Sequence, residues 1–320
     1  MMNFAYTENT NKILESAKFR DPDYTADGQD RAVVQLKGID TLWFNTGTLC
    51  NLSCAHCYIE STPTNDRLAY LDVAEVSRFL DELDSDWQGR EIGFTGGEPF
   101  LNKGIIQMMS NALARDYEVL VLTNAMKPMF HRRAELLALR TEYGSKLRIR
   151  VSLDHHSRED HDRERGTGSW DIALAGVKWL SDNGFHVSVA GRTMWQQSEA
   201  ALRDGFAELF TQQNLRIDAF DPASLVLFPE MDETVTVPEI TTACWQILGK
   251  RPDDVMCASA RMVVRRKGDD RARVLACTLL AYHEEFQLGD DLKAAACDVK
   301  LNHPHCAKFC VLGGASCSVD

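Results

Sequence analysis

The sequence predicts an α/β fold: a partial (β/α)6 barrel of parallel strands with a small cysteine-rich C-terminal extension made of a β-hairpin plus a helix. Three observations predict it. Between residues 41 and 228, six short β-rich runs alternate with five segments of helical period. The first run leads directly into three closely spaced cysteines, and later runs end in Gly-Gly, Thr-Asn and Ser-Leu-Asp. The other seven cysteines all lie from Cys244 onward.

The first ~35 residues are polar and mixed, and residues 1–36 read as a cap or arm. Their start, MMNFAYTENTNKILESAKF, has no basic opening followed by an apolar core, so no secretory signal is expected. No apolar run in the chain approaches the ~20 residues that cross a bilayer. The expectation is a cytoplasmic protein without membrane contact.

Residues 37–235 form the expected barrel. Strands are predicted over 41–45, 91–94, 118–122, 147–153, 186–190 and 225–228, with helices over 73–83, 104–114, 132–139, 172–180 and 200–210. In the first helix, Val73, Val76, Phe79, Leu80 and Leu83 recur at helical spacing and make one apolar stripe. Parallel strands joined by right-handed crossovers curl into a barrel, and chemistry then collects at the strands' carboxyl ends. The motifs above occupy those ends.

Residues 236–320 have a different character. A helix is expected over 240–248, then a hairpin over 261–275 whose arms, MVVRR and ARVL, flank a Lys-Gly-Asp-Asp turn. Eight of the thirteen residues from Arg261 to Arg273 are Arg, Lys or Asp, which reads as a solvated surface. A turn-rich tail with clustered cysteines follows.

Composition narrows the function. The chain has 320 residues, 44% of them hydrophobic and 26% charged, an ordinary globular balance. Thirty-five basic against 47 acidic side chains leave a net charge of −12. That balance opposes nucleic-acid binding, which rests on neutralising phosphates. Ten cysteines in a reducing compartment call for metal or redox chemistry rather than disulfides.

Cys50-Asn-Leu-Ser-Cys54-Ala-His-Cys57 follows the first strand. This C-x3-C-x2-C loop offers three thiolates, enough for three corners of a [4Fe–4S] cube. A structural zinc ion asks for four ligands, commonly as paired C-x2-C elements, and three core cysteines would not sit in a loop of Asn, Ser and Ala. The loop resembles the hallmark of the radical S-adenosylmethionine (radical SAM) superfamily, with His56 at the position of an aromatic-type residue. The resemblance implies that Cys50, Cys54 and Cys57 leave one iron open to chelate S-adenosylmethionine. An electron entering the sulfonium then releases a 5′-deoxyadenosyl radical that abstracts hydrogen from substrate. Such enzymes draw that electron from a reductant protein such as flavodoxin or ferredoxin.

Further motifs extend the resemblance. Gly96-Gly97-Glu98-Pro99 resembles the GGEP motif that holds the methionyl amino group, and glycines permit close backbone approach. Read alone, it is an ordinary turn. Thr123-Asn124 matches a pair near the cofactor in relatives. Ser152-Leu153-Asp154, followed by His161-Asp162-Arg163-Glu164-Arg165-Gly166-Thr167-Gly168-Ser169-Trp170, is similar to the signature of members with C-terminal SPASM or twitch extensions. This implies Ser152 at the ribose and Arg165 at the cofactor carboxylate, a pairing suited to guanidinium. The competing reading is that Ser152 and Asp154 cap a helix and Arg165 makes an ion pair. Arg192 points to the same mouth, or makes a salt bridge.

In the tail, Cys257, the hairpin with Gly268, Cys277, the Leu-Gly-Asp turn at 288–290, and then Cys306, Cys310 and Cys317 follow the SPASM/twitch order. The resemblance implies one auxiliary [4Fe–4S] cluster held by four of Cys257, Cys277, Cys306, Cys310 and Cys317. Gly268 lies farther from Cys277 than is usual there, and zinc is the competing metal. Cys244 and Cys297 are expected to be core thiols, with a hydrogen-donor role as the alternative. His155-His156 and His303-Pro-His305 are expected to make local hydrogen bonds.

The implied function is a radical SAM oxidoreductase or modifying enzyme. With no room before the first strand for a peptide-recognition domain of order 80 residues, a small polar substrate is expected, oxidised or epimerised. A peptide substrate is the alternative. RNA modification is opposed by charge, and a structural metal-binding interaction protein is the non-enzymatic reading.

Overall fold

The computed structural model describes residues 16–232 and 235–313. Its strands are β1 (Val33–Val34), β2 (Thr41–Asn45), β3 (Glu91–Thr95), β4 (Glu118–Thr123), β5 (Leu147–Ser152), β6 (His186–Arg192), β7 (Leu225–Phe228), β8 (Ala260–Val264), β9 (Arg273–Leu275), β10 (Gln287–Gly289) and β11 (Val299–Lys300). One nine-stranded sheet runs in the order β10-β9-β8-β2-β3-β4-β5-β6-β7, and β1 pairs separately with β11. Strands β2 to β7 are parallel, each beside its successor in sequence. Every residue of β2 and β3 is buried, as expected of parallel strands covered on both faces.

Helices of residues 73–86, 105–114, 133–143, 169–182 and 199–212 lie between the strands, each close to its predicted position. The first begins at a reciprocal cap: the Asp72 carboxylate accepts from the Glu75 N–H, and the Glu75 side chain accepts from the Asp72 N–H. Val76, Phe79, Leu80 and Leu83 are its buried stripe. Each such side chain contributes about 1.5–3 kcal/mol, so Phe79→Ala is the single change that would cost this helix most. A helix the sequence reading did not anticipate, Arg158–Arg165, is started by Ser157, whose hydroxyl accepts from the Asp160 N–H.

The hairpin is present but does more than predicted. Its first arm, β8, also pairs in parallel with β2, Thr41 opposite Ala260 and Phe44 opposite Val263. The barrel sheet therefore has a seventh parallel strand, and β9 and β10 continue it antiparallel. All five residues of β8 are buried, which is what two flanking strands require.

The helix expected over 240–248 shortens to Cys244–Leu248. Ile240 instead offers its carbonyl to the Ala32 N–H at 2.8 Å. The adjoining arm packs on the tail: Arg31 pairs with Glu239 at 2.6 Å, both side chains buried, and Val34 stands opposite Val299. A second apolar core gathers Ala32 and Val34 with Met256, Leu275, Leu301 and Phe309. Cys306–Leu312 closes the described chain as a wide π-helical turn.

Candidate cofactor and active site

The root of the cysteine loop is fixed from β3. Gly97 N–H donates to the Gly47 carbonyl at 2.8 Å, and Glu98 N–H donates to the Leu49 carbonyl at 3.1 Å. A Cβ on Gly97 would lie 2.3 Å from the Leu49 oxygen, and one on Gly96, whose φ is +137°, would lie 2.5 Å from the Gly47 oxygen. The glycine pair is thus required because two backbones meet there, one of them carrying Cys50. The motif reads as a ligand approach or an ordinary turn; the structure sets a second backbone against these glycines.

Glu98 turns away from the cavity. Its buried carboxylate accepts from Thr123 Oγ1 at 2.9 and 3.0 Å, from Asn124 N–H at 2.9 Å and from Phe100 N–H at 3.1 Å. Burial pushes the carboxyl up to about 7 against the opposing pull of those donors. Pro99 opens a short buried turn behind the same wall. Asn124 links the end of β4 to the loop, its amide donating to Asn51 Oδ1 at 3.0 Å and lying 3.8 Å from Cys50 Sγ.

One cavity at the carboxyl ends of the strands is lined by Cys50, Cys54, His56, Cys57, Gly96, Gly97, Thr123, Asn124, Ser152, Asp154, Arg165 and Arg192. Of the residues expected at the cofactor, Glu98 and Pro99 alone stand behind its lining. Backbone N–H groups point at two of the sulfurs, Leu52 to Cys50 at 3.4 Å and Ser61 to Cys57 at 3.3 Å. Burial raises the Cys50 thiol to about 12 and raises Cys54 as well.

Arg165 is held by Asp154 through two bonds, Nε to Oδ2 at 2.7 Å and Nη2 to Oδ1 at 3.0 Å. Burial works to raise the Asp154 carboxyl, but Arg165 outweighs it and holds the group below the ordinary carboxylate range. The ion pair and the cavity position are therefore both realised in one residue. His161 accepts the Asp154 N–H at 3.2 Å; burial, aided by the charge on Arg165, lowers it to about 4 and keeps it neutral. Asp162 of the same signature caps the next helix by accepting from the N–H groups of Gly168 and Trp170 at 2.7 and 2.8 Å.

Arg192 is both a cavity residue and a salt bridge. It donates to Glu164 Oε1 at 2.9 Å and to the His56 carbonyl at 3.0 Å. Glu164 was not singled out in the sequence, although His161, Glu164 and Arg165 share one helix face at three- and four-residue spacing, which was a usable signal. Arg150, Phe228, Met231 and Leu279 also line the cavity without a motif to announce them.

Cys257, Cys277, Cys306 and Cys310 line a second cavity together with His305 and Leu279. Leu279 borders both cavities. Burial raises Cys257 to about 12 and takes Cys306 well above its ordinary value. Cys317 lies outside the described residues. Cys297 corrects an expectation: it is exposed rather than a core thiol, because the chain at 296–298 runs over the surface. Cys244 is half-buried, and neither it nor Cys297 lines either cavity. His155 stays local as expected, 2.8 Å from Ser157 Oγ.

Comparison with known proteins places this arrangement. Residues 44–197 match the Radical SAM superfamily profile. The antilisterial bacteriocin subtilosin biosynthesis protein AlbA of Bacillus subtilis (strain 168) is 32% identical over 191 residues, covering 57% of this chain and 40% of that protein. Mycofactocin maturase MftC of Mycolicibacterium smegmatis is 29% identical over 176 residues, 54% of this chain and 43% of that one. The matches thus span less than half the length of these relatives. Among solved structures, Streptococcus suis SuiB bound to precursor peptide SuiA aligns with a TM-score of 0.59 at 11% identity over 92% of this chain and 71% of SuiB. Native anSMEcpe with bound AdoMet aligns at 0.56, with 12% identity over 80% of this chain and 79% of that one. At such identities the likeness is of fold. The matched stretch, residues 44–197, holds the three-cysteine loop after the first barrel strand and the strand ends that line its cavity, and in this it is similar to the radical SAM superfamily.

Proposed function

We propose that the chain is a radical SAM enzyme that modifies a peptide at an unactivated C–H bond. One observation carries the reading: Cys50, Cys54 and Cys57 share a cavity with Gly96, Ser152 and Arg165, although these residues come from three separate strand ends. The donor set fits a three-thiolate cube: it is soft, Cys50 is buried with Cys54 and Cys57 half-buried, and backbone N–H groups meet two of the sulfurs. When bound, cluster and S-adenosylmethionine supply the 5′-deoxyadenosyl radical. The protein's share is orientation. Ser152 and Arg165 take the ribose and carboxylate ends of the cofactor, Asp154 aims Arg165, and the backbone at Gly96 and Gly97 faces the amino group.

The tail is read as a twitch-type extension with an auxiliary cluster on Cys257, Cys277, Cys306 and Cys310. A single zinc ion asks its donors to converge on one point, whereas each iron of a cube takes its own thiolate. Among the described residues, no three Cys, His, Asp or Glu side chains converge in that way. Leu279 borders both cavities, a proximity that suits an electron acceptor for a net oxidation. Electrons for the first cluster come from a flavodoxin- or ferredoxin-like donor.

A peptide is favoured over a small polar metabolite because two relatives are named for bacteriocin biosynthesis and for a maturase, and SuiB was solved with its precursor peptide. Anaerobic reconstitution with S-adenosylmethionine and dithionite tests the class, with 5′-deoxyadenosine and methionine as the expected products. Their absence from the wild-type reaction and equally from a Cys50→Ala/Cys54→Ala/Cys57→Ala control would overturn it. Co-expression with a peptide encoded beside the gene should give a mass loss of about two hydrogens per event if the outcome is oxidation. Turnover of a sugar or cyclitol instead would restore the small-substrate reading.

A further inference from the structure

We propose that Glu164 is the positioning residue that pre-forms the Cys54–Cys57 turn and sets the tautomer of His56. The inference rests on the cofactor reading above and extends it to a residue outside the motif. Glu164 is buried, its side chain 1% exposed, yet it lies on a helix of otherwise mostly charged residues. Its side-chain bonds run to the cysteine loop and to Arg192. Its backbone carbonyl accepts from Ala55 N–H at 2.9 Å. Oε1 accepts from His56 N–H at 2.8 Å and from Arg192 Nη1 at 2.9 Å, and Oε2 lies 2.7 Å from His56 Nδ1. Arg192 closes the ring by donating Nη2 to the His56 carbonyl at 3.0 Å.

The two residues between Cys54 and Cys57 are therefore held at both backbone donors and at one carbonyl. Two of the three thiols are the immediate neighbours of the clamped pair. A loop that arrives ordered presents its sulfurs without the entropy cost of fixing them on metal binding. The carboxylate is an acceptor, so the His56 ring proton resides on Nδ1 and Nε2 faces outward on a half-exposed ring at the cavity.

Glu164→Ala removes the carboxylate, whereas Glu164→Gln keeps an acceptor oxygen for the His56 N–H and Arg192 but turns a donor toward Nδ1. In the iron-free chain, hydrogen exchange at residues 55–57 should quicken about tenfold in the Ala variant and less than about threefold in the Gln variant. In a Cys257→Ala/Cys277→Ala background, iron held by the first three cysteines should pass to a chelator about tenfold faster in the Ala variant, with rescue by Gln. Nitrogen NMR of His56 should show Nδ1–H in the wild type and Nε2–H in the Gln variant. Unchanged loop exchange and unchanged iron loss in the Ala variant would overturn the proposal. If that variant does not fold, an Nδ1–H tautomer persisting in Glu164→Gln does the same. Loss of the cofactor reading would look different: no iron on these cysteines in the wild type, with the exchange contrast at residues 55–57 intact.

Discussion

The Phe228 and Phe309 rings stack at 5.6 Å between centroids and 22° between planes, joining the last barrel strand to the turn that carries Cys306 and Cys310. Phe228 lines the first cavity, and Phe309 is buried one residue before a thiol of the second. The pair makes packing of the tail on the barrel part of both sites. Phe309→Ala should cost about 3–5 kcal/mol, because the turn has no other large ring to fill the space. Urea unfolding measures the loss. A cost below about 1 kcal/mol would mean that the tail folds independently of the stack.

Gly97→Ala tests the meeting of backbones at the loop root. The new Cβ would stand 2.3 Å from the Leu49 carbonyl oxygen, and the neighbouring contacts are also backbone, so nothing flexible can yield. Overpacking of this kind costs typically 1–3 kcal/mol, and the upper end is expected here. Gly38→Ala, with nothing within 4 Å, is the matched control and should change stability by less than about 0.5 kcal/mol. Thermal melts of the two variants side by side decide the matter.

The barrel was legible because its strands are short β-rich runs and its helices carry apolar stripes, as in Val76, Phe79, Leu80 and Leu83. The parallel pairing of β8 with β2 was not. A hairpin pattern names the partner across the turn but says nothing of the opposite edge, and the residues that pair, Thr41 and Ala260, are over two hundred positions apart. The site was legible where chemistry demands rare residues, as at Cys50, Cys54, Cys57 and Arg165. It was illegible at Glu164, because a glutamate in a charged helix reads as solvated, and burial is decided by the loop that folds onto it.

Glu98 gives the iron-free chain a pH signature. Its carboxyl stands at about 7 in the fold against an ordinary value of 4.5, because burial outweighs the hydrogen bonds it accepts. A raised folded value means that the stabilising contribution is complete below pH 4.5 and is lost as pH rises through 7. Across that window this group should lower stability by about 1.4 kcal/mol per pH unit. Glu98→Gln cannot lose a proton, so its unfolding free energy minus that of the wild type should climb from pH 5 to pH 7 and then level off. A difference flat in pH would show that the carboxylate is already ionised at pH 5.

The tail thiols offer the sharpest count. Cys306 and Cys310 lie four residues apart in a π-helical turn, close to one full turn of such a helix, so both present to the cavity that Cys257 and Cys277 line. On the proposed ligand set these four would suffice for a closed cube, and Cys317 would not be needed for it. Reconstituted wild-type chain should then hold about eight irons, and Cys317→Ala the same number. Cys306→Ala and Cys310→Ala should each lower the auxiliary share, approaching about four irons in the Cys257→Ala/Cys277→Ala variant. If Cys317→Ala instead falls to about four irons while Cys310→Ala keeps about eight, the fourth ligand is Cys317 and Cys310 is a wall of the cavity.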